Sequence, residues 1–133
     1  AITPSLQPYM VVAPTRAEAE AMLKTRTIRF FGLLAPAESW RQQGFTHPFG
    51  EGFRGFVDFL PEQYTRKQLD EAIASVPDAM ANAGLFVGTP QEIGQQLKPY
   101  VEAGMRHVVP QAMSAALSRK HALYRLRALR GIR

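Results

Sequence analysis

Apolar positions between residues 89 and 109 repeat first with a helical period and then as a strand. Ile93, Leu97, Tyr100 and Val101 fall at i, i+4, i+7 and i+8, one apolar face of a helix. Thr89 is a natural N-cap, Pro90 sits where a missing N–H costs nothing, and Glu92 three residues on completes a capping box. Gly104 supplies the stop, and Met105–Val109 is predicted as a short strand rich in β-branched residues. Nearer the start, Leu6–Ala13 (LQPYMVVA) reads as a buried strand, with Pro8 tolerable only at its entrance or at a sheet edge. Thr15 with Glu18 makes another capping box, opening a helix from about Arg16 toward Phe30 or Leu34. In it Ala17, Ala21, Met22 and Leu23 suit packing, and Glu18, Glu20, Lys24, Arg26 and Arg29 suit solvent. A shorter helical turn is expected over Ala37–Gln43.

From Gly44 to Phe59 neither period holds. Gly44, Gly50, Gly52 and Gly55 are interleaved with Phe45, Phe49, Phe53, Phe56 and Phe59, which predicts a long irregular segment. So many phenylalanines argue against disorder and require something apolar to cover. Thr65 with Gln68 makes a further capping box, ahead of a helix whose Leu69, Ala72, Ile73 and Val76 share a face and which ends before Pro77. Asp78–Ala83 adds a turn of helix stopped by Gly84. Leu117–Arg130 reads as a terminal helix with Leu123, Leu126 and Leu129 as its packing stripe.

The resulting order is strand, an excursion of about seventy residues, helix, strand, helix, far longer than an ordinary βα connection and therefore insertion-like. The fold class is α/β. Two strands that both read as buried on two faces cannot make a stable sheet alone, so the pattern is that of one end of a larger α/β protein.

Composition narrows this little. The 133 residues are 46% hydrophobic and 20% charged, ordinary globular values that predict one modest domain. The start, Ala1-Ile2-Thr3-Pro4-Ser5, lacks the charged-then-apolar plan of a signal peptide, and there is no cysteine, so a cytoplasmic protein is expected. Charge is more telling. Residues 1–116 carry ten basic and eleven acidic side chains, whereas Arg119, Lys120, Arg125, Arg127, Arg130 and Arg133 give the final stretch +6. A local excess of this kind is not the broad basic face of a nucleic-acid-binding domain.

The segment GTPQEIGQQLKPYVEAGMRHVVP (Gly88–Pro110) resembles the carboxyl-terminal signature of the bacterial-luciferase-like flavin- or deazaflavin-dependent oxidoreductases. Thr15–Leu23 (TRAEAEAML), Trp40–Gly55 and Ser75-Val76-Pro77 look closest to its phthiodiolone ketoreductase branch, which is similar to methylenetetrahydromethanopterin reductases. The resemblance implies the carboxyl-terminal part of a (β/α)8 TIM barrel, incomplete as an isolated chain. Residues 6–13 would be strand seven, 14–87 an insertion, 89–103 helix seven, 105–109 strand eight and 117–130 helix eight. It implies coenzyme F420, or alternatively FMN, and hydride transfer between that cofactor and a carbonyl or alcohol on a small molecule, and the phenylalanine segment suits an apolar, lipid-like one. A homodimer, or pairing with the missing barrel portion, follows from the same resemblance. The strands that carry most cofactor contacts in the family are not in this sequence, so a fragment inactive alone is expected. Pro99 departs from a regular helix seven by removing a hydrogen bond to the Gln95 carbonyl.

Barrel geometry places active sites at the carboxyl ends of strands. Arg106 and His107 begin strand eight and so read as structural. Gln111, just past its end, is a candidate cofactor contact or else a solvated amide. Ala13, ending strand seven, could admit a flat ring closely or simply be core. Trp40, His47 and Arg54 are candidate substrate contacts, with His47 polarising a carbonyl and Arg54 meeting an anion. The plainer alternative makes Trp40 core, His47 solvated before Pro48, and Arg54 the partner of Glu51 or Asp58. The amino end of the Thr89 helix could hold a phosphate, but its own cap, Pro90 and Glu92 favour a purely structural role. No catalytic acid or base is assigned. His47, His107 and His121 lack metal-ligand spacing, so no metal is expected. Two rival readings remain: a non-catalytic subunit contributing to a dimer through its insertion, and a nucleic-acid binder using the arginine-rich terminal helix.

Overall fold

The protein is described by a computed structural model covering residues 3–117 together with Lys120, Ala122 and Tyr124. The chain divides into two compact units, one from residues up to 22 and from 84 onward, the other from residues 23–83.

In the first unit the strands are short and parallel. β1 is Ser5–Leu6, β2 Tyr9–Val12, β3 Leu85–Gly88, β4 His107–Val108 and β5 Gln111–Ala112. Pro8, with no N–H to donate, separates β1 from β2, so the expected strand over 6–13 is two pieces. Its core is as expected: Met10, Val11, Val12 and Ala13 are at most 1% exposed. Residues Leu85–Val87, expected inside the insertion, instead pair in parallel with β2, Tyr9 opposite Leu85 through Val12 opposite Gly88. The expected strand over 105–109 is also divided. β4 pairs with β1, and beyond Pro110 β5 pairs with β2, Tyr9 opposite Gln111 and Met10 opposite Ala112. Only two residues wide, β4 leaves Val108 and Val109 37% and 50% exposed, where burial on both faces was expected.

The three-stranded sheet has the order β3-β2-β5. β2 thus lies between β3, which follows it in the chain, and β5. The Gln96 side-chain amide also pairs with the backbone of Val87 in β3, accepting its N–H at 3.2 Å and donating to its carbonyl at 2.9 Å. Those two strand groups are thus met by a side chain and not by another strand. The architecture shown is mixed α/β with parallel strands.

Helix α1 spans Arg16–Leu23 and α2 spans Arg26–Leu33, where one continuous helix was expected. Burial explains the break. Met22 and Ile28 are both buried, yet six residues apart on one helix they would sit about 120° off a common face. Extended backbone at Thr25 separates the two helices and starts the second. Ala19 and Met22 are the buried residues of α1, while Ala17 and Ala21 face solvent.

Helices α3 (Ala37–Gln42), α4 (Arg66–Ala74) and α5 (Asp78–Asn82) complete the second unit. Leu33, Trp40, Ala72, Ile73, Val76, Met80 and Ala81 form its core. Gly32 lets α2 approach α5 closely, since a Cβ there would lie 2.9 Å from the Met80 carbonyl oxygen. The Thr65–Gln68 capping box is present at the start of α4. The segment 44–59 is irregular as expected apart from a 3-10 turn at Gly55–Val57, and Phe53 buries with Leu34 and Ala37.

Helix α6, Pro90–Glu102, forms where a helix over 89–103 was expected, with its Thr89–Glu92 box. Ile93 and Leu97 are buried against Met10 and Val12, but Tyr100 and Val101, expected on the same face, are 43% and 47% exposed. Thirteen residues of helix extend about 20 Å, while a four-residue strand reaches only about 13 Å, so the last turn overhangs the sheet. Of the helix expected over 117–130, Leu117 is a turn residue and Lys120, Ala122 and Tyr124 are helical, and the rest lies outside the described residues. Tyr124 packs against the Met10–Ile93 cluster.

Candidate functional site

The carboxyl ends of β2 and β3 meet at Ala13 and Gly88, where the Ala13 N–H donates to the Gly88 carbonyl at 3.1 Å. Gly88 has φ +141°, and the chain turns there directly into α6. The Thr89 N–H donates to Glu92 Oε2 at 2.7 Å, and the Glu92 N–H donates back to Thr89 Oγ1 at 3.4 Å. Thr89 hydrogen bonds, together with nearby Arg16, hold the Glu92 carboxyl below the usual carboxylate range. The Arg16 guanidinium donates to the Val87 carbonyl at 3.0 Å and to Glu20 at 2.8 Å. Two amide positions at this helix start are thus internally satisfied, Pro90 has no N–H, and a carboxylate stands in the way. The arrangement locks a strand to a helix and is not built for an anion.

Ala13 itself is fully buried. Gln111 lies elsewhere, within β5 opposite Tyr9 and donating its N–H to the Pro8 carbonyl at 2.9 Å. The two candidate cofactor contacts are therefore at opposite ends of β2, about 13 Å apart along the strand. A residue the sequence did not single out lies nearby in chain order. Ser114, in the 3-10 turn Met113–Ala116 that packs on β2, is completely buried, and its Oγ has no hydrogen-bond partner. A lone serine past a strand end carries no signal that would have marked it.

The three candidate substrate residues belong to the second unit, which brings two of them together. Trp40 and His47 rings meet edge-on at 4.8 Å, and His47 stacks on Phe53 at 4.5 Å. Trp40 is core, its Nε1–H donating to the Gly32 carbonyl at 3.3 Å. His47, expected to be solvated in the plainer alternative, is only 3% exposed. Its Nδ1 lies 3.0 Å from the Phe49 N–H, which can only donate, so the proton sits on Nε2, 2.8 Å from the Leu33 carbonyl. Both nitrogens are occupied. Arg54 is apart from them, clasping Asp58 through Nε and Nη2 at 2.7–3.1 Å while its backbone N–H donates to the same carboxylate. Glu51 takes no part in that clasp.

Burial lowers the His47 pKa, because the fold accommodates only the neutral ring. Stability is therefore complete above the unfolded value of about 6.5 and is lost as pH falls from there through the depressed folded value. Urea midpoints followed by Trp40 fluorescence should drop between pH 7 and 5. His47→Gln should flatten that drop, and a variant with the parent's full pH slope would contradict the assignment.

Beside this cluster lies an open groove of about 510 Å³, walled by Pro48, Phe49, Tyr64, Gln68, Glu71, Ala72 and Ser75. Phe49 and Tyr64 stack at 4.3 Å, giving it an aromatic wall. Among the described residues no group of His, Asp or Glu is placed to hold a metal, and no helix is long and apolar enough to cross a membrane.

The family model for luciferase-like monooxygenases matches residues 1–107. The phthiodiolone/phenolphthiodiolone dimycocerosates ketoreductase of Mycobacterium tuberculosis (strain ATCC 25618 / H37Rv) is 30% identical over 108 residues, which are 81% of this chain and 28% of that protein. The protein of the same name from Mycobacterium sp. (strain JLS) is 32% identical over 96 residues, 72% of this chain and 25% of the relative. That of Mycobacterium kansasii is 26% identical over 108 residues, 81% and 29% respectively. The chain thus spans little more than a quarter of the length of these relatives. No solved structure matches.

Proposed function

This chain belongs to the luciferase-like monooxygenase family, and on that premise we propose that it is part of an F420-dependent oxidoreductase acting on a carbonyl or alcohol of an apolar, lipid-like substrate. The observation that carries this is the similarity of most of the chain to proteins named ketoreductases. In this reading β2 is strand seven, α6 helix seven, and β4 with β5 strand eight of a barrel, residues 23–83 being inserted after strand seven.

The described residues do not by themselves fit a deazaflavin or flavin. Ala13 is covered, Gln111 is at the far end of β2, the amino end of α6 is internally capped, and Ser114 Oγ, the one buried side-chain polar atom without a hydrogen-bond partner among them, is enclosed. The cofactor would accordingly be held by parts of the polypeptide that the longer relatives possess, and it would supply the hydride chemistry. What this chain contributes is shape: a closed strand-end corner at Ala13–Gly88 and, in the inserted unit, an aromatic-walled groove suited to an alkyl or aryl portion of a substrate. His47 and Trp40 act there by holding Phe49 in place, since the Phe49 N–H is tied to the His47 ring.

Fluorescence titration of the intact protein with F420 and with FMN tests the reading. F420 is expected to bind at least tenfold more tightly than FMN. Tight FMN binding without F420 binding would replace the deazaflavin with a flavin. Binding of neither would favour the non-catalytic subunit.

A further inference from the structure

In the aromatic segment 44–59, Phe49, Phe53 and Phe59 turn inward, but the bend between Phe53 and Phe59 does not. Phe53 is 7% exposed, and Phe49 and Phe59 stack on Tyr64 at 4.3 and 5.7 Å. In contrast Phe56, Val57 and Leu60, within five consecutive residues, are 60%, 74% and 46% exposed. This projection is built. Gly55 turns the chain with φ +84°, close enough to α2 that a Cβ would lie 2.8 Å from the Leu34 carbonyl oxygen. Across the bend, Arg54 and Asp58 clasp each other and hold Phe56-Val57 at its apex. Phe56 meets Phe31 only edge-on, at 5.9 Å.

The chemistry of the tip limits what can cover it. Its exposed apolar area is about 300 Å², a functional-sized patch but well short of the roughly 800 Å² per partner of a stable dimer. Its two charges, Arg54 and Asp58, neutralise each other, so it offers no field to steer a charged partner. A lipid surface requires neither a large complementary area nor charge. We infer that Phe56, Val57 and Leu60 form an interfacial anchor that dips reversibly into a neutral or zwitterionic lipid surface. This goes beyond the proposed redox function and does not depend on it.

The test is co-sedimentation of the intact protein with phosphatidylcholine vesicles at physiological salt. Zwitterionic lipid matters, because the basic stretch Arg119–Arg133 would attract anionic vesicles on its own. Binding is expected to be saturable and unchanged between 0.1 and 0.5 M salt. Phe56→Ser with Val57→Ser should lower the partition coefficient at least tenfold, while Val57→Trp should raise it severalfold with a blue-shifted emission. Thermal midpoints should stay close to the parent's, since both side chains are mostly in water. Absent binding, equal binding by the serine variant, or binding confined to anionic vesicles and abolished by salt would each overturn the inference. So would concentration-dependent dimerisation lost in the serine variant, which would assign the tip to a second copy. Cofactor titration is a separate readout, so failure of either proposal leaves the other standing.

Discussion

Trp40→Ala is expected to destabilise the unit formed by residues 23–83 by about 3–5 kcal/mol. Trp40 is 2% exposed and packs with Leu33, Ile73, Val76 and Met80, so truncation removes transfer energy and leaves a cavity walled by three helices. Those helices cannot close it readily, because α2 and α5 already touch at Gly32, 2.9 Å from the Met80 oxygen by its imagined Cβ. The loss also reaches the aromatic turn: His47 rests edge-on against the indole, and His47 in turn holds the Phe49 N–H. Trp40→Phe should cost less, keeping ring volume but leaving the Gly32 carbonyl without its donor. Since Trp40 is the sole tryptophan, circular dichroism or tyrosine emission must follow the variants in urea. A shift below about 1 kcal/mol for the alanine variant would contradict the packing described, which falls in the class of buried large-to-small changes.

Gly88→Ala should disrupt the strand-to-helix corner of the other unit. Backbone at φ +141°, a region adopted essentially by glycine alone, costs an L residue about 1–3 kcal/mol before any contact is counted. The new Cβ would then fall 2.4 Å from Glu92 Oε2 and 3.0 Å from Glu92 Cβ. Glu92 must therefore leave, giving up the Thr89 N–H and its place near Arg16 at 3.9 Å. The lesion is expected to expose amides at the end of β3 and at the start of α6, read as faster hydrogen exchange at Val87 and Thr89. A double variant, Gly88→Ala with Glu92→Ala, should be destabilised by less than the two single losses combined, because the steric conflict is counted once. Strict additivity would mean that Glu92 does not sit over Gly88.

Several elements were legible in the sequence because their causes lie within four residues. The capping boxes at Thr65–Gln68 and Thr89–Glu92 both formed, each by a side chain meeting a backbone group three positions away. Burial along β2 followed from an unbroken run of Met10, Val11, Val12 and Ala13. Arg54 found Asp58 four residues on, as one of its two expected partners. Family membership was also readable, from the Gly88–Pro110 segment.

What could not be read depends on groups distant in the chain. The division of the expected long helix at Thr25 follows from where Met22 and Ile28 must bury. The pairing of Leu85–Gly88 with β2 joins residues 76 positions apart, and a helix-to-strand junction gives no local sign of which edge it will take. His47 precedes Pro48 in an irregular stretch without helical or strand period, yet the Leu33 carbonyl, fourteen residues back, draws it into the core. The same limit applies to the candidate site: residue type suggested Ala13 with Gln111, but strand register sets them at opposite ends of β2. Caps, turns and the run of buried strand residues were determined by covalent neighbours, for which hydrogen-bond reach and side-chain size suffice. Sheet order, the buried face of each helix, and the company each candidate side chain keeps were decided by tertiary packing. Those outcomes depend on which distant surfaces exclude water together, and no short-range pattern encodes that choice.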